Sequence, residues 1–175
     1  HLDAMGIWNS MQLTLSRFKP IKNSVIRIEL SPSVEHTKFY TIEDWQRLWQ
    51  EFVAEFDKQE IKDKKGKTLS HQTNLANSKY SVWLHTESKG EVPHLHVAVC
   101  RMDEDGNINN DHHIHLRAQR AAERVAKKRG WTTAAEVRIV NIQQVNRDCL
   151  NILKAMPVWS WKNYKAALIQ KGYTV

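Results

Sequence analysis

His94-Leu95-His96-Val97-Ala98-Val99-Cys100 reads as one β-strand with two unlike faces. Side chains two apart share a face of a strand, so Leu95, Val97 and Val99 point into apolar packing while His94, His96, Ala98 and Cys100 point the other way. The run Tyr80-Ser81-Val82-Trp83-Leu84-His85 alternates likewise, with Tyr80, Val82 and Leu84 on the apolar face and Ser81, Trp83 and His85 opposite. Turn formers, Gly90 and Pro93 among them, lie between the two runs, which predicts an antiparallel hairpin. Pairing of that kind gathers His85, His94 and His96 on a single face.

Further out, Val25-Ile26-Arg27-Ile28-Glu29-Leu30 is a third strand, with Ile26, Ile28 and Leu30 inward and Arg27 and Glu29 together on the other face. Thr41 with Asp44 fits a capping box, and Ile42, Trp45, Trp49, Phe52, Val53 and Phe56 follow at helical spacing. Ile114, Ala118, Ala121, Ala122, Val125 and Ala126 define another helix ending at Gly130, with Arg117, Arg120, Arg124, Lys127 and Lys128 expected on its outer face. Residues 1–20 form an N-terminal helical segment, and 57–78 a lysine-rich loop. Residues 137–142 are expected as a strand. A helix through Val145, Cys149 and Ile152 stops at Pro157, Ser160 caps a last helix through Trp161, Tyr164 and Leu168, and 173–175 read as the start of a strand. The sum is an α+β fold over 1–175 as a single domain, an antiparallel sheet with helices packed on one face.

Lys and Arg number 26 against 19 Asp and Glu, a net charge of +7, so a polyanion suits the surface and nucleic acid is the first partner to consider. The two cysteines, Cys100 and Cys149, have neither disulfide-framework nor zinc-ribbon spacing, and no apolar run approaches a membrane span. A cytoplasmic setting with no membrane partner is expected. The chain opens at His1 directly into a helix-like stretch and reads as a fragment.

Three neutral imidazoles converging on one face would hold a divalent cation with open positions for substrate or water, the pattern of a catalytic site. Histidine pairs on exposed strands also occur as plain polar surface, and imidazole ligands alone suit zinc or nickel as well as manganese. Asp111-His112-His113-Ile114-His115 is a rival cluster, read as surface or helix capping because it falls at a turn-to-helix junction. Glu87 shares the strand parity of His85 and is a candidate to orient a ligand imidazole, or else a solvated turn carboxylate. Trp83 shares the histidine face, where it could stack an unpaired base or cover a sheet edge. Arg27 is a candidate phosphate contact.

His85-Thr86-Glu87, Pro93-His94-Leu95-His96-Val97 and Met102-Asp103-Glu104-Asp105-Gly106-Asn107 together resemble the signature of the relaxases, the mobilisation nucleases of the HUH endonuclease class. The resemblance runs from about Val25 through Gly130-Trp131, and Tyr164 to Val175 is similar to the family's ending. It implies site- and strand-specific nicking of DNA at a transfer origin, for conjugative mobilisation of a plasmid or transposon. It implies also that His85, His94 and His96 bind a divalent cation, magnesium or manganese, that polarises the scissile phosphate. A tyrosine then attacks and leaves a covalent 5′-phosphotyrosyl link. Single-stranded origin DNA and an accessory relaxosome protein are the partners implied. Where family members often carry a polar residue beyond the histidine pair, this chain has Cys100.

The family's catalytic tyrosine lies near the N-terminus, ahead of the first helix-strand unit, whereas the tyrosines here are Tyr40, Tyr80, Tyr164 and Tyr173. Tyr40 is the earliest and the one weak candidate, but each suits core or capping duty, so the nucleophile is expected outside this fragment. DNA binding is assigned to Trp83, Arg27, Arg117, Arg120, Arg124 and Lys127. The rival readings are a non-catalytic single-stranded DNA-binding module carried by the basic helix and lysine loop, and a metal-dependent phosphodiester hydrolase that uses water.

Overall fold

A computed structural model describes residues 3–18, 21–87 and 92–175. The expected turn at Gly90 and the two ends of the 1–20 segment lie outside these residues. The chain divides into two compact units, His1–Trp131 and Thr132–Val175.

In the first unit, β1 (Val25–Leu30), β4 (Tyr80–His85) and β5 (His94–Cys100) form an antiparallel sheet in the order β1-β5-β4. β5 is central. Its ladder sets Val25 opposite Cys100 and Glu29 opposite His96 on one side, and Tyr80 opposite Val99 and His85 opposite His94 on the other. The expected alternation holds: Leu95, Val97 and Val99 are buried, with Ile26 and Ile28 beside them. Over this face lies α3 (Ile42–Asp57), opened by a reciprocal capping box between Thr41 and Asp44, and it buries Trp45, Leu48, Trp49, Phe52, Val53 and Phe56. α4 (Ile114–Lys128) adds Ala121 and Val125 to the same apolar cluster. The fold is thus α+β, with its two main helices on the face away from the histidines. A short helical turn, α2 (Val34–Thr37), joins β1 to α3.

α1 (Ala4–Ser16) packs elsewhere. Its Met11 meets Cys100 and Met102 in a second apolar cluster, with Val25 against it. Cys100 and Val25 share the parity of the histidines and Arg27, so α1 covers the far end of the histidine face and leaves the triad's end clear of it. Cys100 is fully buried there, and burial pushes its thiol pKa up.

The lysine-rich segment is not the plain loop expected. It holds a small hairpin of β2 (Ile61–Lys62) and β3 (Thr68–Ser70), then a 3₁₀ turn at Leu75–Asn77, with Ile61 and Leu75 wholly buried. The Asp63 carboxylate accepts from the amides of Lys65 and Lys67 to close the turn, and Gly66 supplies its left-handed residue. The Asp57 carboxylate takes the amides of Leu75 and Ala76. Isolated apolar anchors held by carboxylate caps leave no periodic signal in the sequence.

In the second unit, α5 (Ala134–Ala155) replaces the strand expected at 137–142. Thr133 and Glu136 form a capping box, and the helical period of Cys149 and Ile152 extends back to it. β-branched residues cost a helix only tenths of a kcal/mol each, less than a cap supplies, so the long helix prevails. α6 (Trp161–Gln170) starts at Ser160, whose hydroxyl accepts from the Asn163 amide. Nor do residues 173–175 begin a strand: the Tyr173 amide bonds the Leu168 carbonyl and its hydroxyl donates to Asp148 at 2.6 Å. Among the described residues, no helix is long and apolar enough to cross a membrane.

Candidate metal centre

Strand pairing delivers the three histidines together. His85 and His94 are direct cross-strand partners and His96 is two residues along β5 on the same face. Ring centroids lie 4.4 Å apart for His85 and His96, 4.8 Å for His94 and His96, and 5.5 Å for His85 and His94. Each ring offers a nitrogen, and these three atoms lie within 4.8 Å of one another.

The hydrogen bonds fix which nitrogens face inward. A carbonyl oxygen only accepts, so the 2.9 Å contact between His94 Nδ1 and Val92 O makes Nδ1 the protonated atom, and the lone pair of the neutral ring sits on Nε2. That Nε2 lies 3.0 Å from His96 Nε2. Arg27 donates to His96 Nδ1 at 3.3 Å, so the proton of a neutral His96 sits on Nε2 and the 3.0 Å contact is a hydrogen bond from His96 Nε2–H to His94 Nε2. A cation taking the place of that proton would meet both nitrogens. Adjacent ligands on an ion with metal–nitrogen bonds of about 2.1 Å stand about 3 Å apart, which the His94–His96 pair already satisfies. His85 is the exposed member, and its ring contributes the third nitrogen of the group.

The surroundings keep His96 neutral. Partial burial lowers its pKa, and the neighbouring His85 and His94 and the Arg27 charge add to that, while Glu29 pulls it upward. Arg27 Nη2 reaches His96 Nδ1 at 3.3 Å, and Glu29 stands directly across from His96 in the ladder. Glu29 is the carboxylate that parity alone did not assign to the triad, because the pairing register of β1 is not written in its own sequence. Glu87 is exposed and makes no hydrogen bond to the three rings. Trp83 pairs with His96 across the strands and is 41% exposed, an indole face presented beside the imidazoles.

The basic helix is placed differently. Arg120, Arg124 and Lys127 lie on α4, whose buried side joins the apolar cluster on the opposite face of the sheet. Arg124 and Lys128 turn to Glu55 of α3, at 3.8 and 2.6 Å. Arg117, expected on the outer face, is fully buried: its guanidinium donates to the Gln59 carbonyl, to Ser70 Oγ at 2.8 Å and to the His71 carbonyl at 2.6 Å. The hairpin of β2 and β3 covers that side of α4, a contact that helical periodicity does not reveal.

The tyrosines of the first unit are also away from the histidine face. Tyr40 packs edge-on against Trp45 with its hydroxyl held by Arg129, and Tyr80 lies beside Trp49 at 5.5 Å. Burial raises the Tyr40 pKa against the pull of Arg129. In the second unit, the hydrogen bond from the Tyr173 hydroxyl to Asp148 raises the Tyr173 pKa. Among the rival histidines, His113 occupies the cap of α4 in the left-handed region at φ 55°. The triad is the one metal-competent group of three found among the described residues.

Residues 2–131 match the family model described as Relaxase: MobA/VirD2-like, nuclease domain. No curated protein and no solved structure matches the chain.

Proposed function

The chain belongs to the MobA/VirD2-like relaxase nuclease family, and from that premise we propose a metal-assisted nicking site at His85, His94 and His96, acting on one strand of a transfer origin. The observation that carries this reading is the gathering of one nitrogen from each of three imidazoles within 4.8 Å of one another, the His94 and His96 Nε2 atoms 3.0 Å apart. A divalent cation held there would neutralise charge growing on a non-bridging oxygen of the scissile phosphate.

This chain's own residues supply the rest. His94, pinned by the Val92 carbonyl, keeps its lone pair inward. Arg27 is positioned at the edge of the triad to take an adjacent phosphate, and Trp83 to stack a base, so that a single strand lies along the histidine face. Magnesium or manganese is the expected ion, with zinc or nickel as competitors for imidazole ligands. The attacking group is a tyrosine, which the reading places outside the positions of Tyr40, Tyr80, Tyr164 and Tyr173. A phosphotyrosyl link conserves the bond for rejoining.

The test is titration of Mn²⁺ into the wild type and a His94→Ala/His96→Ala variant by calorimetry, with single-strand affinity measured alongside. The reading expects about one ion per chain in the wild type, at least a tenfold loss in the variant, and DNA affinity kept within about twofold. Equal metal uptake by both proteins overturns it. Steeply salt-dependent binding with no metal dependence would instead identify a plain binding module, and turnover of a phosphodiester without a covalent adduct a hydrolase.

A further inference from the structure

The second unit, beyond the residues that match the family model, carries a cluster of aromatic rings that its own core does not use. Trp159, Trp161 and Tyr164 stand with ring centroids 5.4, 5.5 and 5.7 Å apart. Core tryptophans of the first unit such as Trp45 and Trp49 are 5% and 3% exposed, whereas Trp159 and Trp161 are 57% and 62% exposed. The cluster is held in place from beneath. Leu168, buried on α6, seats that helix against α5, and Ser160, between the two tryptophans, caps α6 and fixes the direction in which Trp161 leaves it. Aromatic faces kept in water and braced from behind form a platform.

The charge around the rings selects the ligand. Between 132 and 175 there are six basic residues, Arg138, Arg147, Lys154, Lys162, Lys165 and Lys171, against two acidic ones, a surplus of four out of the chain's +7. Both acids are engaged within the unit. Asp148 is bound by Lys171, Tyr173 and Gln144, and Glu136 by Thr133 in the capping box. Lys162 and Lys165, on α6 with Trp161 and Tyr164, have no carboxylate partner among the described residues. Lys165 is four residues beyond Trp161, so the two share a helix face. Stackable rings beside uncompensated ammonium groups match a polyanion with exposed flat faces.

We propose that Trp159, Trp161 and Tyr164, with Lys162 and Lys165, form a second binding site for unpaired nucleotides that shares no residue with the histidine triad. Stacking on the indoles would take one or two bases without regard to their identity, while the lysines take the flanking phosphates. The inference rests on the relaxase reading only in its choice of single-stranded DNA as ligand.

The test uses the whole chain, a labelled oligo(dT) and a duplex of equal length, with fluorescence anisotropy at several salt concentrations. Trp159→Ala/Trp161→Ala should lose about tenfold or more in affinity for oligo(dT) and less than about twofold for the duplex, with Mn²⁺ uptake at the triad unchanged. Trp159→Phe/Trp161→Phe should recover most of the loss, which guards against a variant that misfolds. Lys162→Gln/Lys165→Gln should reduce the slope of log affinity against log salt by about 1.4, as expected for two fewer phosphate contacts on a single strand. Unchanged oligo(dT) affinity in the alanine pair overturns the proposal, as does an equal loss on duplex. A shift in oligomeric state caused by the same pair with DNA affinity intact also overturns it, by assigning the rings to self-association. Failure of the wild type to take Mn²⁺ while the tryptophan effect persists would remove the metal reading and leave this one standing.

Discussion

Replacing Arg117 by Ala separates two incompatible roles for one side chain. On the outer face of a basic helix it would touch phosphate, and its loss would weaken DNA binding while leaving the fold alone. In the structure it is fully buried, its guanidinium lies over the Phe56 ring at 5.6 Å, and it is shared among Gln59, Ser70 and His71. Truncation strands two acceptors that stay buried, the Gln59 carbonyl and Ser70 Oγ, at about 1–3 kcal/mol each. The His71 carbonyl borders an exposed side chain and can recover water. Against this, removing a guanidinium whose charge is disfavoured by burial, as its lowered pKa shows, returns part of the loss. The net expectation is about 3 kcal/mol, a large share of the 5–15 kcal/mol typical of a whole domain. With a urea slope of about 2 kcal/mol/M, the unfolding midpoint should fall by about 1.5 M. Arg117→Lys, a single point donor in place of a fork, should recover less than half. Urea melts followed by circular dichroism, with oligonucleotide affinity measured on the folded fraction, decide the matter. A midpoint within about 0.2 M of wild type together with a drop in DNA affinity would refute the buried role.

Trp83→Ala should weaken single-strand binding by about 1–3 kcal/mol while leaving Mn²⁺ uptake unchanged, checked by anisotropy and calorimetry on the same preparation. Asp103 is fully buried and accepts from the amides of Asp105 and Asn107 and from the Asn74 and Asn107 side chains. Burial opposes its ionisation, but these donors prevail and hold its pKa below the usual carboxylate value. Its contribution is therefore complete above the unfolded-state value near 4 and disappears as pH falls through the lower folded value, so wild-type stability should drop with acid over that window and Asp103→Asn should flatten the drop. Gly106 sits at φ +87°, and a Cβ there would lie 2.5 Å from the Phe18 ring, so Gly106→Ala should cost about 1–2 kcal/mol in a denaturant melt.

Parity made the triad legible. A strand of period two with histidines at 94 and 96 can present them only on one face, and the apolar residues between them leave no choice of which face is buried. The capping residues Thr41 and Ser160 announced two helix starts just as directly. What failed needed information that local pattern does not carry. The strand expected at 137–142 followed β-branched content, which a capping box four residues upstream overrode. Arg117 was assigned by helical geometry to solvent, but the side of α4 it occupies is covered by a hairpin whose anchors, Ile61 and Ser70, sit in a lysine-rich stretch without period. Glu29 stayed unassigned to the metal centre because only the register between β1 and β5 sets it opposite His96.

The strand order has a kinetic consequence. His94 and His96 are on the middle strand, laced to neighbours along both edges, whereas His85 ends a strand bonded on one side only. On the proposed metal reading, an ion leaving the cluster would have two imidazoles anchored on both sides to escape and one held along a single edge. Exchange should therefore begin at His85, and stiffening the end of that strand would lengthen the residence time of the ion more than it raises equilibrium affinity.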